Sequence, residues 1–330
     1  MNTPNPFPNP LEPLEPLLTD PEVNEIMVDA FDRVLVQRKE KIVETDVKFA
    51  SIEALRAAID AALALGGAAF KPGQTVCEAQ LSDGTRILGV LPPTAVGSPY
   101  LILRKFFTRG MTWERLFEYG SLSKEVHALL MDAIRAPVNL LIAGGTGSGK
   151  TTVLNLLGQS IPAEARIIVI GNAELPVAHP RRIYLSPSSQ TTLSTSDLIQ
   201  TASKMRPDWM IFGEVHGAEA MPLIQMFGTG FSGMTSIHGT SVENSLSRLE
   251  AMCLMANLGL GIAEIRQAIA AAFGVITCQR LFPNGHRRIT EVVELTGIEN
   301  GRYVLQPLVR YNEGTGQFER MPVKASWDKR

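Results

Sequence analysis

Cysteine is scarce in this sequence: its 330 residues hold three, Cys77, Cys253 and Cys278, far apart and without a C-x-x-C pair. That excludes a disulfide framework and a zinc knuckle, and it points to a reducing, cytoplasmic setting. Charge of one sign is lacking too, since 31 basic and 33 acidic residues leave a net charge of -2. No global positive field recruits nucleic acid or an anionic membrane. Long hydrophobic runs are missing: the longest apolar stretches, residues 61–70 and 268–278, fall short of the ~20 residues that span a bilayer. Any membrane role is expected to be peripheral, through partners. The first sixteen residues have no basic start and no apolar stretch, which excludes a signal peptide, and six prolines make 1–16 read as a disordered, extended tail.

What is present is a globular composition, 45% hydrophobic and 19% charged, at a length that suggests two domains. Residues 17–106 read as a small α+β domain. Ile26-Met27-Val28 and Val34-Leu35-Val36 flank turn formers as a hairpin does, and a second pair of strands, 75–81 and 85–91, is joined through Ser82-Asp83-Gly84. Between them Ser51 opens a helix whose Leu55, Ile59 and Leu63 recur every four positions, and Gly66-Gly67 ends it. A last strand covers 100–106, and the polar, aromatic stretch 107–122 reads as a linker. From 123 the pattern changes. A helix through Val126, Leu129, Leu130 and Ile134 leads to uninterrupted apolar runs at 140–143, 167–170 and 209–212. Such runs suit strands buried on both faces of a parallel sheet, so 123–330 is expected to be an α/β domain. Beyond Arg280 glycine-jointed strands return as an antiparallel appendage.

The segment Gly144-Gly145-Thr146-Gly147-Ser148-Gly149-Lys150-Thr151, followed by Thr152, satisfies G-x-x-x-x-G-K-[ST] after a buried strand and before a helical stretch. Glycines let backbone N–H groups curl around phosphates, Lys150 reaches the β and γ oxygens, and the Thr151 hydroxyl ligates magnesium. A dinucleotide fingerprint is the poorer fit, because of the adjacent Lys-Thr. Glu214 follows the run 209–212 and Gly213, where a carboxylate reaches magnesium or orients a water. ATP and Mg2+ are the expected cofactors.

The loop GGTGSGKTT, the segment MRPDWMIFGEVHGAEA and the segment TGFSGMTSIHGTS resemble the traffic ATPases of type II and type IV secretion systems over nearly the whole chain. Within that superfamily EIMVDAFDRVLVQR, LSDGTRILGVLPP and LILRKF look like the N-terminal domain of Tad (Flp) pilus motors, close to conjugation and archaeal filament motors. The resemblance implies a RecA-like P-loop C-terminal domain, a smaller mobile N-terminal domain, a homohexameric ring and an inner-membrane platform partner. It carries the Walker A roles to Lys150 and Thr151 and the Walker B role to Glu214. It also aims Arg86 and Arg104 at nucleotide phosphates, gives His238 a γ-phosphate contact, and places Arg206 in an RPD element and Arg248 in an SRLE helix.

Three positions depart from that pattern. Gly171-Asn172-Ala173-Glu174 stands where the family carries an acidic pair and a further glutamate, so Glu174 alone remains a carboxylate there. Phe231 replaces the first histidine of the His box, and His216 replaces an arginine, trading a permanent bidentate charge for a titratable one. The expected activity is a slow hexameric ATPase that drives pilus assembly or secretion. The alternative is a catalytically weak nucleotide-binding assembly or regulatory subunit, and a nucleic-acid translocase is a third, poorer reading. The apolar stretches 251–260 and 262–273 are expected to serve the core.

Overall fold

The computed structural model describes residues 9–38, 41–81, 85–105, 111–171, 175, 177–186 and 193–327. The chain divides into two compact units, Met1–Arg109 and Gly110–Arg330. In the first, a 3-10 turn at Glu12–Leu14 leads into α1 (Glu15–Thr19), β1 (Val23–Ala30), β2 (Arg33–Arg38), β3 (Lys41–Glu44), α2 (Ile52–Leu65), β4 (Val76–Gln80), β5 (Arg86–Val90) and β6 (Tyr100–Arg104). The strands form one antiparallel sheet in the order β3-β2-β1-β6-β5-β4. Both expected hairpins are there, although the turn at 82–84 lies outside the described residues.

The Ser51 hydroxyl accepts the Ala54 N–H at 3.2 Å and so starts α2. Leu55, Ile59 and Leu63 of α2 are then fully buried on the sheet. The helix lies so close that a Cβ on Gly89 of β5 would stand 2.7 Å from Ile59 Cγ2. The expected tail is shorter than its proline count suggests. Leu11, Leu14 and Leu17 are buried in the same core as α2, and Lys105 donates to the carbonyls of Leu17 (2.6 Å) and Asp20 (2.9 Å). Pro13 and Pro16, each the second residue of its helix, suit the first turns of the 3-10 turn and of α1, because their missing N–H has no role there.

The second unit begins with α3 (Trp113–Glu118) and α4 (Lys124–Arg135), followed by β7 (Leu140–Gly144), α5 (Lys150–Gln159), β8 (Ile167–Ile170) and β9 (Arg182–Leu185). Next come α6 (Thr195–Lys204), β10 (Trp209–Val215), α7 (Ala220–Gly228), β11 (Ser232–His238), α8 (Val242–Met255) and α9 (Ile262–Ala272). The chain ends with β12 (Val275–Leu281), β13 (Arg287–Glu299), β14 (Arg302–Asn312) and β15 (Gln317–Arg320). The sheet order is β15-β14-β13-β12-β7-β11-β10-β8-β9, parallel from β12 to β9 and antiparallel from β12 to β15. Helices cover both faces of the parallel part, α6 to α9 on one side and α3 to α5 on the other. This is why β7 and β8 are apolar without alternation and buried throughout.

Two expectations are corrected in this unit. Much of the linker 107–122 is part of the fold: α3 places Trp113 and Phe117 edge-on against His127 of α4, with ring centroids 4.8 and 5.5 Å apart. Leu116 and Leu122 enter the α4–α5 core there, while residues 106–110 lie outside the described residues. Nor does the stretch 251–260 serve the core throughout. α8 stops at Met255, Asn257 and Gly259 take positive φ, and Leu254, Met255, Leu258 and Leu260 are exposed.

Candidate functional site

The phosphate loop joins the last residue of β7, Gly144, to the first of α5, Lys150. Gly147 and Gly149 adopt φ of +71° and +97°, the left-handed region where a side chain would strain the backbone. Gly144 is glycine for a different reason, because a Cβ there would run into the Ser148 hydroxyl and the Gln279 carbonyl. Gly149 caps α5 without a side-chain partner for the first-turn N–H groups. These donors and the positive end of the helix dipole are left for an anion.

Lys150 is 7% exposed, and its Nζ donates to the Gly145 carbonyl at 3.2 Å and lies 3.6 Å from Glu214 Oε1. The carboxylate thus neutralises the buried ammonium, and a phosphate entering the loop competes for the same cation. Glu214 does not sit beyond its strand, as the sequence suggests, but within β10, which runs on to Val215 past a bulge between Phe212 and Glu214. The Ser236 hydroxyl of β11 donates to the Gly213 carbonyl at 2.7 Å and fixes that bulge. A bulge re-aims the side chain that follows it, which is how Glu214 reaches Lys150.

His238 ends β11 in register with Gly144 of β7 and is half-buried at the edge of the sheet. It belongs beside the loop rather than in the core. Thr151 and Thr152 occupy the first turn of α5, both partly accessible. Glu174 lies outside the described residues, as do Asn172 and Ala173. Arg86 and Arg104 belong to the first unit, where they face each other as paired residues at the ends of β5 and β6.

Phe231 and Arg206 are at the other end of the sheet. Phe231 immediately precedes the parallel strand β11 and Arg206 lies three residues before β10, whereas the loop follows the C-terminal end of β7. Phe231 packs against the α6–α9 core, so its replacement of a histidine does not thin this chain's own phosphate site. Arg206 is exposed with φ of +54°, in a turn held by Asp208, which accepts the Arg166 N–H at 2.7 Å.

Sequence reasoning missed three contributors. Glu219 accepts the N–H groups of His216 (2.7 Å) and Gly217 (2.9 Å), folding the chain back just after Glu214. Arg287 of β13 donates from Nε to the Gly147 carbonyl at 2.7 Å. Gln279 of β12 pairs with Gly144 from the side opposite His238. Arg287 comes from the antiparallel appendage and Gln279 from the last parallel strand, both more than a hundred positions away in sequence, and no local motif marks them. The one available signal was a glutamine closing the apolar run 275–278.

The family model of the type II/IV secretion system protein matches residues 9–303. A putative conjugal transfer protein of Mycobacterium tuberculosis is 29% identical over 299 residues, 87% of this chain and 84% of its own. Among solved structures, the ATPase DotB of Legionella pneumophila aligns with a TM-score of 0.60 at 15% identity, covering 89% of this chain and 83% of that one. The pilus retraction motor PilT with bound ADP aligns with a TM-score of 0.59 at 17% identity, covering 88% and 80%. These two likenesses concern the fold, a RecA-like P-loop domain with a smaller N-terminal domain. The chain belongs to the type II/IV secretion system protein family, and with the phosphate loop at the head of its larger unit it is an ATPase of that family.

Proposed function

We propose that the chain is an ATP-hydrolysing motor subunit that works as a homo-oligomer, a hexamer, and drives pilus assembly of the Tad type or related secretion through an inner-membrane platform protein. One observation carries the chemistry: Lys150, Glu214 and His238 converge on a loop whose helix N-terminus is uncapped. The backbone N–H groups of residues 147–151 cradle the phosphates and Lys150 binds the β and γ oxygens. The Thr151 hydroxyl and Glu214 suit magnesium, which takes few protein ligands and several from phosphates and water, and which supplies charge neutralisation when bound. Glu214 orients the attacking water and accepts its proton. His238 donates to the γ-phosphate, and Arg86 and Arg104, brought in by the first unit of this or a neighbouring subunit, offset the charge that develops.

The second reading, a catalytically weak assembly subunit, has its own support. Gly171 just after β8 and Gly213 in the bulge of β10 face each other, and a Cβ on Gly171 would be 3.4 Å from Gly213 Cα. Among the described residues Glu214 is therefore the carboxylate at Lys150. Location follows the motor reading: no helix among the described residues is long and apolar enough to cross a membrane, and the ring would sit on the cytoplasmic face of the inner membrane through its platform.

Steady-state Mg-ATP hydrolysis across a range of protein concentrations, with Lys150→Ala as control, tests both readings. The motor reading expects specific activity that rises with concentration and disappears in the variant. ATP binding without turnover would establish the weak-subunit reading, and concentration-independent turnover would remove the shared, assembled site.

A further inference from the structure

Among the described residues, two polar side chains flank the phosphate loop at one level of the sheet. His238 of β11 and Gln279 of β12 both pair with Gly144, one on each side of β7. Residues paired across parallel strands project to the same face. That face is the one on which the loop and α5 lie, since a Cβ on Gly144 would meet the Ser148 hydroxyl of the loop. Gln279 is 3% exposed, and its Nε2 has no hydrogen-bond partner. Its Oε1 lies 3.6 Å from the position of a Cβ on Gly149, the residue that caps α5. A second polar atom without a partner, Ser148 Oγ, is buried within the loop itself.

A buried amide donor without an acceptor is costly, and such groups persist where something else satisfies them. The amide can rotate by half a turn and exchange its oxygen and nitrogen without moving the chain. An anion in the loop would draw the N–H side toward it. We propose that Gln279 is a nucleotide ligand whose side-chain amide donates to a phosphate oxygen held in the loop, from the side opposite His238. This rests on the phosphate-loop reading and extends it to β12, the strand on the other side of β7. Arg287 of β13 grips the Gly147 carbonyl, so the β12–β13 hairpin touches the loop from two residues, Gln279 beside Gly144 and Arg287 at Gly147.

The test is calorimetric titration with Mg-ADP and with the magnesium complex of a non-hydrolysable ATP analogue. It compares the wild type with Lys150→Ala, Gln279→Met, Gln279→Leu and Gln279→Glu, alongside thermal unfolding without nucleotide. The apolar isosteres are expected to weaken binding about ten-fold or more, the worth of a hydrogen bond to a charged group. Their unfolding temperature should be unchanged or higher, because a buried orphan donor has been removed. Gln279→Glu keeps the shape but sets a negative charge against the phosphates, and should bind most weakly of the three. A packing role predicts the reverse, a lower unfolding temperature with wild-type affinity, and that result would overturn the inference while leaving the loop intact. A wild type that binds neither nucleotide, or a Lys150→Ala that binds as well as wild type, would sink the phosphate-loop reading and this inference with it.

Discussion

Glu214 illustrates how much one backbone irregularity decides at the scale of a residue. The bulge at Gly213, held by the Ser236 hydroxyl, turns the carboxylate to within 3.6 Å of the Lys150 ammonium. Glu214→Gln keeps shape and hydrogen-bonding capacity and removes the charge and the proton acceptor. Turnover is expected to fall by ~100-fold or more, while nucleotide affinity is maintained or improves because a negative charge facing the phosphates is gone. Steady-state kinetics paired with equilibrium binding check this, and a proportional loss of both would show that Glu214 only holds the loop together. The residue types Gly, Lys, Thr and Glu were readable from the sequence because their spacing follows from phosphate geometry. Glu219, Ser236 and Arg287 were not, since each acts on a backbone group supplied by another element.

Local signals placed most elements correctly where one face is buried and a cap or turn marks the end. Ser51 and Ser123 accept the N–H groups of Ala54 and Val126, and the helices begin there. They failed where context overrides composition, as in the proline-rich start, whose three leucines complete the core of the first unit. Leu14 is fully buried, so Leu14→Ala is expected to cost about 2–5 kcal/mol. Ile42→Ala on the exposed edge strand β3, 62% accessible, should change stability by less than about 0.5 kcal/mol. Denaturant melts of the two variants make the comparison, and equal stabilities would mean that residues 11–17 are not part of the folded unit.

All three cysteines are buried and unpaired, and they bear on the behaviour of the whole molecule. Burial pushes the Cys253 thiol up to about 12, helped by the nearby Glu250 carboxylate, and raises Cys278 and Cys77 as well. A thiol whose folded pKa is raised adds stability that is complete below its unfolded value near 9 and is lost as pH rises toward the folded value. Tyr303, raised by burial and by Glu250, acts in the same direction. Stability is therefore expected to fall steadily between pH 9 and 12, with thiol labelling at pH 8 confined to unfolded protein. Labelling of the native protein at pH 8 would show that burial does not protect these thiols. The sequence by itself determined the two-domain division, the parallel α/β core and the phosphate loop, because hydrophobic periodicity and glycine spacing are local and follow from backbone geometry. Only the tertiary structure decided which strand ends share the loop's edge. His238 and Gln279 meet Gly144 there, and Phe231 and Arg206 are at the far end, because strand order and register come from packing distant segments against one another.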